Sequence, residues 1–356
     1  MRKILPVEIQ NAAVVTECWT FEKLAIIQTS PYARDWLASH FRIYIDNSLC
    51  VYFGEAPFLH RPMYYEDILD SRVINYHLLP ADRLMSVIRE HIDEGWYISM
   101  TSNWNLEEGA PAFHELLIYG YDDEKEVVHS TVMQNRRFVP VEIPYSHLRK
   151  SLPQTRQYFK QNPGLETALS INYQWPMTAY TLKDTYSTDM CVFMAMDKID
   201  KEKYGTQSTI SISNQMRPIF DAPVYYTGLG CLSALEQILT WELERKPFSE
   251  DYKGLTATLK KMHEHRRLLL LSMRYIQDKW GISDALVQDS IQTYEECCKQ
   301  FETWYLLGMK YEQTADPSAV ARILGGLYKE GCREKETLFQ FHQACLDYRS
   351  ARCAAL

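Results

Sequence analysis

The chain has no run of about 20 apolar residues, which is the length a membrane-spanning helix needs. The apolar stretch after the first two basic residues is also far too short for a secretory signal peptide. Basic residues are in the minority, because 38 lysines and arginines face 46 aspartates and glutamates, which gives a net charge of -8. We therefore expect a cytoplasmic protein that binds neither free nucleic acid nor a membrane.

Sequence patterns typical of metal and cofactor sites are missing as well. The nine cysteines are scattered apart from Cys297 and Cys298, and neither a CxxC pair nor a His–Cys cluster stands at zinc spacing. The chain also lacks a phosphate-binding loop, a Rossmann fingerprint and a serine-hydrolase elbow. These absences predict reduced cysteines and no metal site.

Short strand-like runs dominate the first half of the chain. The stretches "ELLIYGY", "EVVHSTVM" and "RFVPVEI" are separated by the turn-forming "DDEK" and "QNR", which predicts three consecutive antiparallel strands of one sheet. The runs "FRIYIDNSLCVYF" and "WYISMTS" predict further strands. Helices are predicted at Cys18–Thr29 and Ala81–Glu94, so this half has the composition of an α+β domain.

The second half carries apolar residues at intervals of three and four, which is typical of packed amphipathic helices. Asp284 and the Asp316–Ser318 segment are signals for helix starts. We therefore expect three parts: an α+β domain over 1–155, a linker and connecting segment over 156–220, and an all-helical bundle over 221–356.

Cys18 has the most suggestive setting of the nine cysteines. In "VVTECWTFEKLAII" an extended approach leads to Thr16 as a predicted N-cap, which places Cys18 in the first turn of a helix. Free backbone N–H groups and the helix dipole favour a thiolate there, so we expect a lowered thiol pKa and preferential labelling by iodoacetamide. His114, at the start of a later strand, is the predicted base, in the papain-like order of cysteine before histidine.

Each of these residues also has a purely structural interpretation. An arbitrary cytoplasmic cysteine is more often a small buried apolar group than a nucleophile. A histidine at the start of a strand usually hydrogen-bonds a neighbour, and Asp122 and Asp123 are explained by the hairpin turn alone.

Several stretches resemble the butirosin biosynthesis protein H-like family. These are "HIDEGWYISMTSNWN", "HELLIYGYDDEKEVV" and "VEIPYSHLRKSL", with "MHEHRRLLLLSMRYI" in the helical half. The resemblance implies a papain-like N-terminal domain related to C39 peptidases, followed by a helical C-terminal domain. It also implies a bacterial natural-product enzyme of nonribosomal peptide or aminoglycoside pathways, which transfers an acyl group from a carrier-protein thioester to an amine without ATP, metal or redox cofactor.

The same resemblance assigns catalytic roles to named residues. Cys18 would attack the thioester, and His114 would deprotonate first the thiol and then the amine. The Asp that C39-type proteins keep on the next strand is replaced here by Ser130, so Ser130 and Asn135 are the candidates to orient the imidazole.

Three further residues are predicted to bind substrate. Gln10 lies upstream of the nucleophile, where papain-like proteins keep an oxyanion donor, although the spacing is a residue or two too long. Trp19 follows the nucleophile, and Trp104 lies in the loop that leads into His114.

Two other functions stay open at this point. The same dyad with water as acceptor would make a thioesterase or amidase, and the missing Asp leaves room for a non-catalytic scaffold protein. The expected partners are an acyl or peptidyl carrier protein, which presents its phosphopantetheine arm, and a small amine; a homodimer is compatible with the sequence.

One basic cluster lies in the helical half. His263 and His265 stand two positions apart and so point to different faces of the helix, which argues against a metal site. Together with Arg266 and Arg267 they are expected to form either a solvated helix face or a basic patch for the carrier protein.

Overall fold

The computed structural model describes residues 1–46, 49–54, 65–103, 105, 112–134, 137–162, 177–204, 206–209, 224–247 and 254–354. The chain divides into two compact units. We call Met1–Ala33 with Phe58–Tyr186 the sheet unit, and Arg34–Pro57 with Ser187–Leu356 the helical unit. The predicted boundaries are therefore wrong in two places: residues 34–57 belong with the C-terminal chain, and the predicted linker 156–220 is shared between the two units.

The secondary structure is α+β, with a sheet-rich N-terminal region and C-terminal helices, as the sequence predicts. The described strands are β1 (Arg2–Ile4), β2 (Arg42–Asp46), β3 (Val51–Gly54), β4 (Leu69–Val73), β5 (Tyr97–Asn103), β6 (Phe113–Asp122), β7 (Val127–Gln134), β8 (Arg137–Pro144), β9 (Met177–Leu182), β10 (Thr206–Thr209) and β11 (Val224–Thr227). The described helices are α1 (Cys18–Ile27), α2 (Ala33–Ser39), α3 (Leu84–Asp93), α4 (Tyr145–Gln161), α5 (Cys191–Glu202), α6 (Cys231–Glu244), α7 (Leu255–Trp280), α8 (Ala285–Thr314) and α9 (Pro317–Ala354).

The sheet unit is built on an antiparallel sheet with the strand order β4-β9-β5-β6-β7-β8, and β1 pairs with β6 as a seventh strand. The meander β6-β7-β8 confirms the three consecutive antiparallel strands predicted from the sequence. Strand β9, by contrast, lies inside the sheet between β4 and β5, although its sequence was assigned to a linker. Gly120 is required where β1 joins, because a Cβ there would lie 2.7 Å from the carbonyl oxygen of Lys3.

Helices α3 and α4 contribute to the main core of the sheet unit. Leu84, Ile88 and Ile92 of α3 recur at four-residue intervals, so they form one buried stripe. Leu148 and Leu152 of α4 join the same cluster, which also contains the buried side chains of β5 and β6. Burying an apolar side chain of this size contributes about 1.5–3 kcal/mol, so this core fixes β5 and β6 as a rigid support.

The helical unit is not all-helical, which corrects the prediction. Strands β10, β11, β2 and β3 form a second antiparallel sheet of four strands. The run "FRIYIDNSLCVYF" thus supplies β2 and β3 to this unit rather than to the main sheet. Non-local pairing explains the error, because β2 pairs with β11, whose sequence lies about 180 residues further along the chain.

Long helices make up most of the helical unit, with α8 packed against both α7 and α9. The predicted helix starts are confirmed: Asp284 accepts hydrogen bonds from the N–H groups of Leu286 (2.7 Å) and Val287 (3.4 Å), and α9 begins at Pro317. No helix within the described ranges is both long and apolar enough to cross a membrane.

Candidate functional site

Helix α1 begins at Cys18 itself. Its N-cap is Glu17 in an extended conformation, so the predicted cap at Thr16 is wrong by one residue, while the predicted place of Cys18 in the first turn is confirmed. The first hydrogen bond along the helix runs from the N–H of Phe21 to the carbonyl oxygen of Glu17, at 2.8 Å. The N–H groups before Phe21 have no acceptor within the helix. N–H groups of this kind, at the start of a helix, are suited to hold a negative oxygen.

Contacts with the main sheet fix the position of α1. The helix packs against β6 and β9. The ring of Phe21 is stacked on that of Phe138 in β8, with 3.6 Å between their centroids. The hydroxyl of Ser99 in β5 donates a 2.5 Å hydrogen bond to Oε2 of Glu22. Since Glu22 lies one turn after Cys18 on the same helix face, these contacts turn the cysteine towards the sheet.

Cys18 and His114 meet in the structure, although 96 positions separate them along the chain. The Sγ atom of Cys18 lies 3.2 Å from Nε2 of His114, so the spatial part of the prediction is confirmed. Cys18 is 6% exposed, whereas the His114 side chain is 32% exposed. The sulfur is therefore covered, and the imidazole beside it is open to solvent.

Glu115 faces the other nitrogen of the imidazole, a contact that the sequence analysis missed. Nδ1 of His114 lies 3.1 Å from the carbonyl oxygen of Glu115 and 3.3 Å from Oε2 of its carboxylate. Both groups only accept hydrogen bonds when the carboxylate is ionised, so we assign the ring proton to Nδ1. The lone pair of Nε2 then points to the thiol of Cys18. An acidic residue directly after the histidine was the available sequence signal.

The electrostatic environment of Cys18 differs from the predicted one. Burial raises the pKa of the Cys18 thiol well above its ordinary value, and the nearby carboxylates of Glu115, Glu22 and Glu17 raise it further. A backbone hydrogen bond at Cys18 lowers the pKa but does not outweigh these effects. The expected low-pKa thiolate is therefore wrong for this state. The sulfur therefore rests as a thiol, 3.2 Å from Nε2 of His114.

The labelling prediction changes accordingly. We expect iodoacetamide near neutral pH to modify Cys332 and Cys353 before Cys18, because these two cysteines are exposed and Cys18 is a covered thiol with a raised pKa. Peptide mass mapping over a time course measures the order. Labelling of Cys18 ahead of Cys332 would show that the thiolate is present at rest after all.

A buried pair of charged residues lies on α1 next to the site. Burial raises the pKa of Glu22, and Glu115 adds to the effect, while the hydrogen bond from Ser99 and the charge of Lys23 oppose it. Burial lowers the pKa of Lys23, whose Nζ lies 5.4 and 5.1 Å from the ring centroids of Tyr65 and Tyr180. The surroundings of Cys18 therefore include two buried titratable groups, Glu22 and Lys23, that the sequence motifs did not indicate.

Ser130 does not occupy the predicted position. Its hydroxyl donates a 2.9 Å hydrogen bond to the carbonyl oxygen of Leu117. In the register of the sheet Ser130 pairs with Ile118, four residues beyond His114 along β6, a separation of about 13 Å at 3.3 Å per residue. The assignment of Ser130 as the group that orients the imidazole is thus wrong, and the contact at Nδ1 is made by Glu115.

The structure describes the other predicted site residues only in part. Gln10 is exposed, in a turn ahead of α1, and no hydrogen bond in the described part of the chain joins its side chain to Cys18. Asn135 and Trp104 lie outside the described residues. For Trp19 the backbone is described as part of α1 and the side chain is not.

The basic cluster of α7 belongs to the interior of the helical unit, which corrects the expected solvated face. His265 and Arg266 are each 1% exposed, and only Arg267 among the four residues is exposed. Nε2 of His265 lies 3.4 Å from Oε1 of Glu202. His265 and Arg266 are therefore internal side chains and do not lie on a basic surface.

Comparison with known proteins adds no family. No protein-family model matches the chain, and no curated protein matches its sequence at a significant level. The likeness to the butirosin biosynthesis protein H-like family therefore rests on the quoted sequence stretches alone.

Proposed function

We propose that the protein is a cysteine-dependent acyltransferase, which moves an acyl group from a carrier-protein thioester to an amine. The observation that supports this most directly is the 3.2 Å contact between Sγ of Cys18 and Nε2 of His114 at the start of α1. A nucleophile and a base are thus in contact, and the nucleophile stands in the first turn of a helix, whose N–H groups suit a developing oxyanion. Glu115 acts as a positioning residue for the imidazole.

Acylation begins with proton transfer. Nε2 of His114 takes the thiol proton while Sγ of Cys18 attacks the thioester carbonyl, and the N–H groups at the start of α1 stabilise the oxyanion. The bond between the carbonyl carbon and the carrier's sulfur then breaks. The departing thiolate takes the proton from His114, which leaves an acyl group on Cys18 and a free carrier thiol. The raised pKa of Cys18 makes this base necessary.

Transfer to the acceptor repeats the same chemistry in reverse. The amine attacks the acyl-Cys18 carbonyl, His114 removes a proton from the attacking nitrogen, and the cysteine leaves as the thiol once it regains that proton. An amide is released. Water in place of the amine gives the free acid, so the thioesterase or amidase function shares the first step and differs only in the acceptor.

The remaining parts of the proposal come from the sequence resemblance. The sheet unit is a papain-like domain, and the enzyme works in the bacterial cytoplasm within natural-product biosynthesis. The acyl or peptidyl carrier protein supplies the donor on its phosphopantetheine arm. The chemistry itself uses only protein side chains, because a thioester is already activated.

Intact mass spectrometry tests the first step. We expect incubation with a pantetheine-linked acyl thioester in chelator-treated buffer to add one acyl group to the wild-type protein and none to Cys18→Ala. Cys345→Ala is the matched control, since Cys345 is another buried cysteine, and it should be acylated as the wild type is. No adduct across a range of acyl donors, or an unchanged adduct in Cys18→Ala, would favour the scaffold function. Addition of amines then separates amide from free acid.

A further inference from the structure

We infer that Cys18, His114 and Glu115 bind a thiophilic divalent cation of the zinc class, and that the bound ion holds the nucleophile inactive. The three ligand atoms (a thiol sulfur, an imidazole nitrogen and a carboxylate oxygen) all lie within 4.8 Å of one another. These are three common ligand types of zinc. The inhibitory part of this inference rests on the proposed acyltransferase function, while the binding of the ion does not.

The distances are close to those of a formed site. Ligand bonds of about 2.0–2.3 Å in a tetrahedral arrangement place two ligand atoms about 3.5 Å apart. Sγ of Cys18 and Nε2 of His114 already lie 3.2 Å apart. When the ion is bound to Nε2 of His114, Nδ1 still donates a hydrogen bond to the carbonyl oxygen of Glu115, 3.1 Å away. A metal-bound imidazole is usually oriented by such a hydrogen bond. Rotation of the Glu115 side chain brings its carboxylate to the third position.

A second observation, the charge around the sulfur, favours a cation. The carboxylates of Glu115, Glu22 and Glu17 are all close enough to act on the Cys18 thiol. Oε1 of Glu22 is buried and has no hydrogen-bond partner within the described residues. Lys23 is the nearby cation, and its charge acts on both Glu22 and Glu115. The acidic side chains around the sulfur outnumber this single lysine, which is a setting that suits a divalent cation.

The proposed metal site is open to solvent and leaves one coordination position for water. The side chains of His114 and Glu115 are 32% and 20% exposed, so an ion can reach them from solvent. Three protein ligands leave the fourth position of a tetrahedral ion to water. Sequence spacing gave no zinc motif because the ligands come from two elements, the start of α1 and the start of β6.

Occupation of the site blocks the proposed reaction for a simple reason. Binding releases the thiol proton to solvent, and the sulfur lone pair that would attack the thioester is donated to the ion instead. Nε2 of His114 is occupied as well, so the nucleophile and its base are lost together. Removal of the ion by a chelator restores both groups, which makes the block reversible.

Cobalt(II) titration of the metal-free full-length protein, without any acyl donor, tests the binding. We expect one cobalt per chain, with thiolate-to-cobalt charge-transfer absorption in the near ultraviolet, and displacement of cobalt by zinc. Cys18→Ala should lose the charge-transfer band, and Glu115→Gln should weaken binding by roughly 10–100-fold. Cys332→Ala, which removes an exposed cysteine elsewhere, should bind as the wild type does. Far-ultraviolet circular dichroism checks that each variant is folded.

The results that would overturn the inference are distinct from those that bear on the proposed function. An unchanged band in Cys18→Ala, an unchanged affinity in Glu115→Gln, or no stoichiometric binding eliminates the metal site. Acylation of the zinc-loaded protein at the metal-free rate eliminates the inhibitory role. A protein that binds cobalt but is never acylated in chelator-treated buffer contradicts the acyltransferase and leaves the metal site intact.

Discussion

Replacement of His114 by glutamine is expected to slow acylation of Cys18 by roughly 10²–10⁴-fold at neutral pH, which is the usual contribution of a positioned general base. The effect is large because burial keeps the Cys18 thiol protonated and Nε2 of His114 lies 3.2 Å from its sulfur. The rate of adduct formation, followed by intact mass in the presence of a chelator, measures the loss.

The pH dependence of the acylation rate of His114→Gln distinguishes loss of the base from loss of the folded structure. Without the imidazole, the reactive thiolate forms only by ionisation to solvent, so the rate of His114→Gln should rise about tenfold per pH unit below the thiol pKa. His77→Gln serves as the control, because His77 is an exposed histidine of the same unit, and it should react at the wild-type rate. Acylation of His114→Gln at the wild-type rate would rule the imidazole out as the base.

Local signals made part of the fold predictable. The β6-β7 hairpin was marked by "DDEK", and Asp122 does accept hydrogen bonds from the N–H groups of Glu124 (3.0 Å) and Lys125 (3.2 Å) in that turn. Strand β9 was missed because its partners β4 and β5 lie about 80–110 residues earlier in the chain. Its sequence "MTAYTL" is rich in strand-forming residues, but no adjacent turn connects it to a neighbouring strand.

The candidate site, like the fold, was predictable from the sequence only in part. The pairing of Cys18 with His114 was expected from the family resemblance and from the order of the two residues, since spacing alone could not join positions 96 apart. Glu115 was missed because neighbouring residues of a strand point to opposite faces, which argues against a contact between adjacent side chains. His114 is the second residue of β6, and there the long Glu115 side chain reaches the imidazole at 3.3 Å.

The buried charges of the helical unit could not be predicted from local sequence patterns, because each depends on a partner far away along the chain. Nη2 of Arg266 lies 3.1 Å from Oε2 of Glu334, and both side chains are 1% exposed. The hydroxyl of Tyr294 donates a 2.8 Å hydrogen bond to the other oxygen of Glu334. The guanidinium of Arg266 also lies 4.1 Å from the ring centroid of Phe301. Helices α7, α8 and α9 are thus joined through one buried ion pair.

We expect Arg266→Met to lower the free energy of unfolding of the helical unit by about 3–5 kcal/mol, because the Glu334 carboxylate would remain buried without its cation. Urea denaturation followed by far-ultraviolet circular dichroism measures the change, since the long helices dominate that signal. Arg267→Met is the matched control one residue along, and because Arg267 is exposed it should stay within about 0.5 kcal/mol of the wild type.

A double variant shows whether the unpaired charge causes the loss. Arg266→Met combined with Glu334→Leu removes both charges, so it should be less destabilised than Arg266→Met alone, even though Tyr294 then loses its acceptor. If the double variant is the less stable of the two, the lost hydrogen bond of Tyr294 and the fit of leucine at position 334 cost more than the buried unpaired carboxylate does. A loss below about 1 kcal/mol in Arg266→Met would mean that water or a rearranged side chain solvates Glu334.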